Sequence, residues 1–159
     1  MRIARVILLC MLLCAVCACT RIRVQPPEGF AEWSPRRFFP GSVYHAVSPE
    51  GVELVARSVK NYPPQDLEFW KEVLFLHLED EGYLPAAEPV LFETKGGGVV
   101  RDGVLFEWAV GYGQENYVYC TAIVPSRRRI AIVEAAGKHR IYAEYREAIL
   151  SSVKTVTFR

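Results

Sequence analysis

The chain is poor in the residue types that carry catalytic or metal-binding chemistry. Among 159 residues it has three histidines, and four of its five cysteines lie within the first nineteen residues. His45, His77 and His139 have no cysteine or carboxylate at ligand spacing, and no HExxH, GxSxG or helix-leading GxGxxG motif occurs. The sequence therefore shows no residues arranged for metal-dependent hydrolysis, for nucleophilic catalysis or for dinucleotide binding. We therefore expect no enzyme activity, no catalytic residue, no cofactor and no bound metal.

The chain also lacks an apolar run long enough to span a bilayer. Residues 6–16 are apolar without a break, but Thr20-Arg21 end the segment before the about 20 residues that a spanning helix needs. Arg2 and Arg5 precede the run, which gives it the charged start and apolar centre of a signal peptide. We predict a cleaved signal peptide over residues 1–18, with a short uncleaved anchor as the alternative.

The segment Val16-Cys17-Ala18-Cys19 closes this run and resembles the lipobox of bacterial lipoproteins. That pattern has a branched residue or leucine, a small residue, glycine or alanine, and then the modified cysteine; a cysteine at the second place is less usual. The resemblance implies that Cys19 carries a thioether diacylglycerol and an N-acyl chain such as palmitate. Cys17 and Cys14 are alternative sites that fit the pattern worse. Several acyl chains make a stable membrane anchor, whereas one is marginal.

The residue after the modified cysteine bears on localisation. In the lipoprotein family an aspartate there is the usual signal for retention in the inner membrane, and this chain has Thr20. The resemblance therefore implies a lipid-anchored protein of the bacterial cell envelope, in the outer membrane and facing the periplasm.

Net charge and free thiols are both scarce once the signal peptide is removed. The formal charge changes from +1 to −1, because residues 1–18 hold two arginines and no acidic residue. A near-neutral chain gives no reason to expect a nucleic-acid partner or a global attraction to an anionic membrane. With Cys19 modified, Cys120 is the remaining thiol, so no intramolecular disulfide is possible. We interpret Cys120 as a small buried apolar residue rather than as a reactive thiol.

Two regions follow the anchor. Residues 19–29 are polar and contain Pro26-Pro27 and Gly29, so we predict a tether that reaches roughly 30 Å when fully extended. Residues 30–159 predict one folded domain. Its first ten residues are rich in aromatic side chains around Pro35, and we expect them to cover one end of the core.

The folded domain alternates β-branched runs with two amphipathic helices, which predicts an α+β fold. Ser48-Pro49-Glu50-Gly51 is a turn between two such runs, because proline presets φ and glycine takes a positive φ. We expect an antiparallel β-sheet flanked by two helices, with the meander over residues 103–135 at its centre. The predicted strands are residues 43–47, 52–59, 89–94, 103–112, 117–125, 129–135 and 154–158, and the predicted helices are residues 65–81 and 139–153.

The first predicted helix has an apolar arc at 100° per residue. We place Phe69, Trp70, Val73, Leu74, His77 and Leu78 on the side that faces the sheet, and we interpret His77 as a core histidine. Phe75 falls among the charged residues of the opposite side. It is either a singly exposed aromatic, which is common, or a contact point for a partner.

Two short loops have compositions that can bind phosphate or other anions. Lys95-Gly96-Gly97-Gly98 can cradle phosphate only when a helix follows, and here a strand is predicted, so we interpret it as a flexible hairpin loop. Arg127-Arg128-Arg129 is a dense cationic turn, and we interpret it as a solvated hairpin tip. Contact of this turn with phosphate headgroups or an acidic partner is the alternative.

The order of elements over residues 36–158 resembles the PsbP-like fold, an antiparallel sheet flanked by helices in an α/β/α sandwich. This resemblance is carried by the Ser48–Gly51 hairpin and the Phe69-Trp70 helix. It is also carried by the strand over residues 104–112 that leads into Tyr117-Val118-Tyr119, and by Ile132-Val133-Glu134-Ala135-Ala136-Gly137 before the second helix. It implies a non-enzymatic protein. We predict an accessory or scaffold subunit with a protein partner in the envelope. The alternatives are a carrier of a small apolar ligand with an enclosed pocket and a hydrolase whose site the sequence hides.

Overall fold

The computed structural model describes residues 22–33 and 42–158. The signal peptide, Cys19 and residues 34–41 lie outside this part of the chain. The described strands and helices are, in chain order, β1 (Ile22–Arg23), β2 (Ala31–Glu32), β3 (Ser42–Val47), β4 (Glu53–Lys60), α1 (Leu67–Asp80), β5 (Leu84–Pro85), β6 (Val90–Glu93), β7 (Asp102–Tyr112), β8 (Glu115–Pro125), β9 (Arg129–Lys138), α2 (His139–Val153) and β10 (Thr157–Phe158). Within the described residues, neither helix has the length and apolar character needed to cross a membrane.

The strands form one large antiparallel sheet and one small one. The large sheet has the order β2-β3-β4-β9-β8-β7-β5, and β6 also pairs with β7. The small sheet pairs β1 with β10, with Ile22 opposite Phe158. The predicted α+β fold is confirmed, with the β7-β8-β9 meander inside the sheet as expected.

The turn between β3 and β4 has the predicted chemistry. The Gly51 amide donates to the Ser48 carbonyl over 3.0 Å, and Gly51 has φ +85°, which disfavours side chains larger than hydrogen. The Ser48 hydroxyl also accepts from the Val52 amide at 3.0 Å. Val52, Leu54 and Ala56 are fully buried, so the alternation read from the sequence sets which side of β4 faces the core.

Each face of the large sheet carries one helix and one apolar cluster. The face covered by α2 holds Leu54, Leu105, Cys120 and Val133, together with Ile149 and Val153 of the helix. The face covered by α1 holds Val104, Phe106, Trp108, Ile123 and Ile130. Because successive residues of a strand point to opposite faces, the two clusters interleave along β7. The result is the predicted three-layer arrangement of helix, sheet and helix.

A buried carboxylate fixes α2 on the sheet. The Glu107 side chain is 6% exposed, accepts from the Tyr142 hydroxyl at 2.8 Å and pairs with the Arg146 guanidinium through both carboxylate oxygens. A buried charge is tolerated only when it is paired and hydrogen-bonded, and these two partners meet that need.

The tether prediction is wrong over residues 22–27. Ile22 and Val24 are 2% and 8% exposed, and β1 pairs with β10. The Gln25 amide donates to Thr155 Oγ1 at 2.9 Å, and the Ser152 hydroxyl donates to the Gln25 carbonyl. Ile22 and Val24 alternate with Arg23 and Gln25, which is the period of a half-buried strand. This segment therefore belongs to the folded domain.

Candidate functional site

Helix α1 is fixed in its rotation by polar contacts at its start. The Asp66 carboxylate caps the helix by accepting from the Phe69 amide at 3.0 Å. The buried side chain of Asn61 accepts from Trp70 Nε1 at 3.0 Å and donates to the carbonyls of Gln65 and Ser126 at 2.9 and 2.7 Å. These bonds join the helix start to the turn between β8 and β9.

This rotation differs from the predicted one. The side of α1 that packs on the sheet consists of Leu67, Trp70, Leu74, Phe75 and Leu78. The Phe75 ring lies 5.5 Å from that of Trp108, so Phe75 is a packing residue and its interpretation as an exposed aromatic is wrong. The interpretation of His77 as a core residue is also wrong, because it is exposed. The apolar residues of α1 cover more than one arc, and the Trp70–Asn61 bond selects which arc is buried.

A second apolar arc of α1 is therefore left at the surface. Phe69, Val73 and Leu76 are 42%, 40% and 55% exposed, and their spacing of four and three residues places them on one side of the helix. We call these three residues the α1 stripe. The same side carries the exposed carboxylates Glu72 and Asp80. The spacing is the one used by helices that bind in apolar grooves.

The groove beside the stripe is also acidic. It is an open groove of about 770 Å³ between α1 and the β6–β7 hairpin, and Phe69 lines it. The carboxylates of Glu68, Glu72 and Glu88 lie along the same walls, together with Lys71, which pairs with Glu68 at 3.2 Å. The α1 stripe is thus an apolar surface with an anionic border.

A second exposed apolar surface lies on the loop between β6 and β7. Val99 and Val100 are 52% and 63% exposed. The loop is closed by Thr94, whose amide donates to the Arg101 carbonyl at 2.9 Å and whose Oγ1 accepts from the Arg101 amide at 3.1 Å. Strand β7 follows, which confirms that Lys95–Gly98 belongs to a hairpin loop. We call residues 95–101 the basic loop.

The basic loop is held against β10. The Lys95 amide donates to the Lys154 carbonyl at 2.7 Å, and the Arg101 guanidinium lies 5.1 Å from the centre of the Phe158 ring. At Gly96 a Cβ atom would come within 2.3 Å of Thr157 Cγ2, so only glycine permits this approach.

The cations around the basic loop have no anionic partner among the described residues. Lys95 and Arg101 belong to the loop, Lys154 lies beside it, and Arg23 lies opposite Thr157 in the adjacent β1. The basic loop is thus an apolar surface with a cationic border.

An open cleft lies between the basic loop and the start of α1. It has a volume of about 780 Å³ and is lined by Leu91, Lys95, Lys154 and the carboxylates of Asp66, Glu68, Glu93 and Asp102. Asp66 and Glu68 lie at the start of α1, whereas Glu93 and Asp102 lie at the base of the basic loop, next to Lys95. A carrier of an apolar ligand needs an enclosed pocket, whereas this cleft is open to solvent.

The predicted arginine cluster is divided between two roles. The Arg129 guanidinium donates to the Ser58 carbonyl at 2.9 Å and to its hydroxyl at 2.6 Å, so Arg129 ties β9 to β4. Arg127 and Arg128 are exposed at the turn, as a solvated tip requires.

Cys120 lies in the core beside the Glu107 network. Burial raises the pKa of its thiol to about 12, and the Tyr142 hydroxyl is its hydrogen-bond neighbour. Burial likewise raises the pKa of Tyr142. Since the thiolate is the nucleophile, a thiol that stays protonated at neutral pH has no reactivity here. This agrees with its interpretation as a buried apolar residue.

A second polar network lies on the other face of the sheet. The Tyr119 hydroxyl donates to Glu134 Oε1 at 2.5 Å, and the Arg57 guanidinium pairs with both oxygens of the same carboxylate. Burial raises the pKa of Tyr119. The three side chains, from β4, β9 and β8, satisfy one another's hydrogen bonds and charges. The network therefore has a structural role.

The histidines lie far apart in the fold. His45 stacks at 5.2 Å on Trp33, with its Nε2 atom 3.6 Å from Glu53, whereas His139 is exposed at the start of α2. In the described ranges no three His, Cys, Asp or Glu side chains are grouped so that they could hold a metal ion.

Sequence reasoning missed both exposed surfaces. The signal for the basic loop was present, since Val99-Val100 is an apolar pair next to three glycines in a loop. The signal for the α1 stripe was ambiguous, because its three residues fitted the predicted buried arc. Cys19, the one predicted modification site, lies outside the described residues.

Comparisons with known proteins show the fold. No protein-family model matches the chain, and no curated protein sequence is significantly similar to it. The solved structure of LpqN, involved in cell envelope biogenesis of Mycobacterium tuberculosis, is 14% identical with a TM-score of 0.56. The alignment covers 87% of this chain and 83% of that one.

Two further structures are similar. Cyanobacterial PsbP (CyanoP) from Synechocystis is 6% identical with a TM-score of 0.52, over 91% of this chain and 96% of that one. A protein from Bacteroides thetaiotaomicron is 12% identical with a TM-score of 0.51, over 87% of this chain and 45% of that one. At these identities the likeness concerns the fold alone. It confirms the predicted PsbP-like fold.

Proposed function

We propose that this protein is a non-catalytic lipoprotein of the bacterial envelope that uses the α1 stripe to dock on a protein partner. The observation that carries the proposal is the exposed row of Phe69, Val73 and Leu76. Isolated exposed apolar residues are normal, but a contiguous apolar patch with a polar border marks an interaction site.

The border of the stripe defines the chemistry of the partner. Glu72 and Asp80 lie on the same side of α1, and Glu68 and Glu88 line the adjacent groove. Like charges placed opposite one another weaken association, whereas complementary charges favour it. The partner therefore presents an apolar groove with lysines or arginines at its edges. An anionic membrane surface does not meet this requirement.

The anchor supplies the location. Cys19 carries the diacylglycerol thioether and the N-acyl chain, and Thr20 directs the protein to the outer membrane, facing the periplasm. The fold similarity to a protein involved in cell envelope biogenesis supports this placement. Lipid anchoring confines the protein to a surface, which raises the effective concentration of a partner in the same membrane.

The docking test compares two sets of exposed apolar residues. Native membranes are solubilised in mild detergent, and the protein is recovered with whatever binds it in stoichiometric amount. The triple variant Phe69→Ser, Val73→Ser and Leu76→Ser should lose that partner. The control Leu84→Ser, at a side chain that is 67% exposed on β5, should retain it. Equal recovery with both variants, or no stoichiometric partner with the unaltered protein, would overturn the docking proposal.

The anchor has its own test. Mass spectrometry of the mature amino-terminal peptide should show the acyl groups on Cys19, and Cys19→Ser should abolish them. An unchanged lipid signal in that variant would place the modification elsewhere or remove it from the proposal.

A further inference from the structure

We infer that the basic loop is the membrane-facing surface of the domain. In this arrangement Val99 and Val100 enter the headgroup region of the leaflet that holds the Cys19 lipid, and the surrounding cations contact anionic phospholipid. The inference rests on the proposed lipid anchor and adds the orientation of the domain to it.

The first support is the short length of chain between the anchor and the fold. Only Thr20 and Arg21 separate Cys19 from Ile22. Three residue steps reach at most about 11 Å. Ile22 is 2% exposed and pairs with Phe158, so the chain leaves the domain at the β1–β10 edge. The bilayer therefore lies within about 11 Å of that edge.

The second support is the position of the basic loop at the same edge. Lys95 is hydrogen-bonded to the backbone of Lys154, Gly96 lies against Thr157, and Arg101 lies on the Phe158 ring. Phe158 is also the partner of Ile22. The loop that exposes two valines is thus packed beside the point from which the lipidated segment departs.

The third support is the charge around the loop. Arg23, Lys95, Arg101 and Lys154 form no ion pair with another described residue. Each lysine or arginine near an anionic membrane surface favours the bound state by about fivefold. The carboxylates of Glu93 and Asp102, which are paired across β6 and β7 at the base of the loop, lie beside these cations. The four cations outnumber the two carboxylates, so the charge around the loop is positive on balance.

The α1 stripe does not compete for this role. The α1 stripe has carboxylates at its border, and these oppose an anionic leaflet. Val99 and Val100 combine apolar exposure with a cationic border, which is the combination that binds a membrane interface.

The test measures which end of the domain lies in the lipid. Full-length acylated protein is purified and reconstituted into vesicles of phosphatidylcholine and phosphatidylglycerol that contain a lipid-borne quencher. A dye is attached through Val100→Cys or through the control Gln114→Cys. Cys120 is 1% exposed and stays unlabelled. Gln114 follows the far end of the 11-residue β7, roughly 35 Å along the strand from the basic loop.

We expect quenching at position 100 to exceed quenching at position 114 several-fold. Adding Lys95→Glu and Arg101→Glu should reduce the difference in vesicles that contain phosphatidylglycerol. In phosphatidylcholine alone the two charge changes should have little effect. Unfolding curves of the labelled proteins verify that each has kept its fold.

The outcomes separate the two proposals. Acylated protein with equal quenching at positions 100 and 114 would overturn the membrane-facing loop and leave the anchor standing. Mass spectrometry that finds no acyl group on Cys19 would overturn the anchor, and the inference with it. Quenching at position 100 that persists after both charge changes would overturn the contact with anionic phospholipid.

Discussion

The α1 stripe and the basic loop expose apolar side chains to a similar extent and differ in the charge that surrounds them. Phe69, Val73 and Leu76 are bordered by carboxylates, whereas Val99 and Val100 are bordered by lysine and arginine. The hydrophobic contribution to binding is non-directional and does not depend on the charge of the partner. In the two proposals, the charged border therefore distinguishes the protein partner of the α1 stripe from the anionic membrane that faces the basic loop.

The two surfaces also differ in how the fold creates them. The α1 stripe is a by-product of packing, since a helix with a wide apolar arc can bury only part of it against one sheet. The basic loop instead depends on glycine, because Gly96 permits the close approach to Thr157 that holds the loop against β10. Substitutions at buried positions can therefore be compared with substitutions at exposed positions of the same two surfaces.

The largest expected effect is a difference in the free energy of unfolding between substitutions on the buried side of α1 and in its exposed stripe. Phe75→Ala removes a ring that contacts Phe106 and Trp108 and should lower the free energy of unfolding by about 3 kcal/mol. Phe69→Ala should cost less than about 1 kcal/mol, because Phe69 is 42% exposed. Urea unfolding of both variants provides the measurement. Equal losses would mean that Phe69 is part of the core and that the stripe is shorter than described.

The next effect concerns the cationic border. In a chain that begins at Thr20 and keeps every described residue, Lys95→Glu with Arg101→Glu should weaken binding to vesicles containing phosphatidylglycerol by at least about 2 kcal/mol, or at least about 30-fold. Sedimentation with vesicles gives the partition coefficient. The matched change Arg127→Glu with Arg128→Glu, at the exposed turn between β8 and β9, should have a much smaller effect. A similar loss in both variants would show that net charge alone governs the binding.

A smaller effect is expected at the glycine that holds the basic loop. Gly96→Ala places a methyl group against Thr157 and should destabilise the protein by about 1 to 2 kcal/mol. Gly111→Ala is the control, because no atom lies within 4 Å of a Cβ at that position. Thermal unfolding distinguishes them. An unchanged midpoint for Gly96→Ala would show that the loop shifts without penalty and that its contact with β10 is loose.

The smallest effect concerns the anionic border of the stripe. Glu72→Lys changes an exposed side chain, so the free energy of unfolding should stay within about 0.5 kcal/mol. Binding of the stoichiometric partner should weaken by about 1 kcal/mol, and the loss should shrink as salt is added. Titration at two salt concentrations tests both points. Tighter binding after this substitution would reverse the charge assigned to the partner.

The sequence predicted the elements better than their orientation. The second helix was predicted over residues 139–153 and is found at His139–Val153, and the Ser48–Gly51 turn and the meander are present as expected. These elements have strong local signals, namely turn residues and regular alternation of apolar side chains. A local signal is visible without knowledge of the tertiary structure.

The rotation of α1 and the fate of residues 22–27 depend on contacts distant in sequence. Trp70 bonds to Asn61, whose side chain also binds the carbonyl of Ser126 in another turn. Ile22 is buried by elements distant from it in sequence, since β1 pairs with β10 and also contacts β3 and β4. Composition favoured a solvated segment there because of its prolines and arginines, and the alternation of Ile22 and Val24 carried the opposing signal. The candidate surfaces emerge from these distant contacts, so the sequence alone did not reveal them.

The pairing of Ile22 with Phe158 has a practical consequence for experiments on this protein. Any reporter, purification tag or fusion partner joined after Phe158 begins beside the departure point of the lipidated segment. In the proposed orientation, a bulky fusion there would be wedged between the domain and the bilayer and would lift the basic loop away from it. The turn between β7 and β8, at Gly113-Gln114, lies at the opposite end of β7 and offers an insertion site distant from the basic loop.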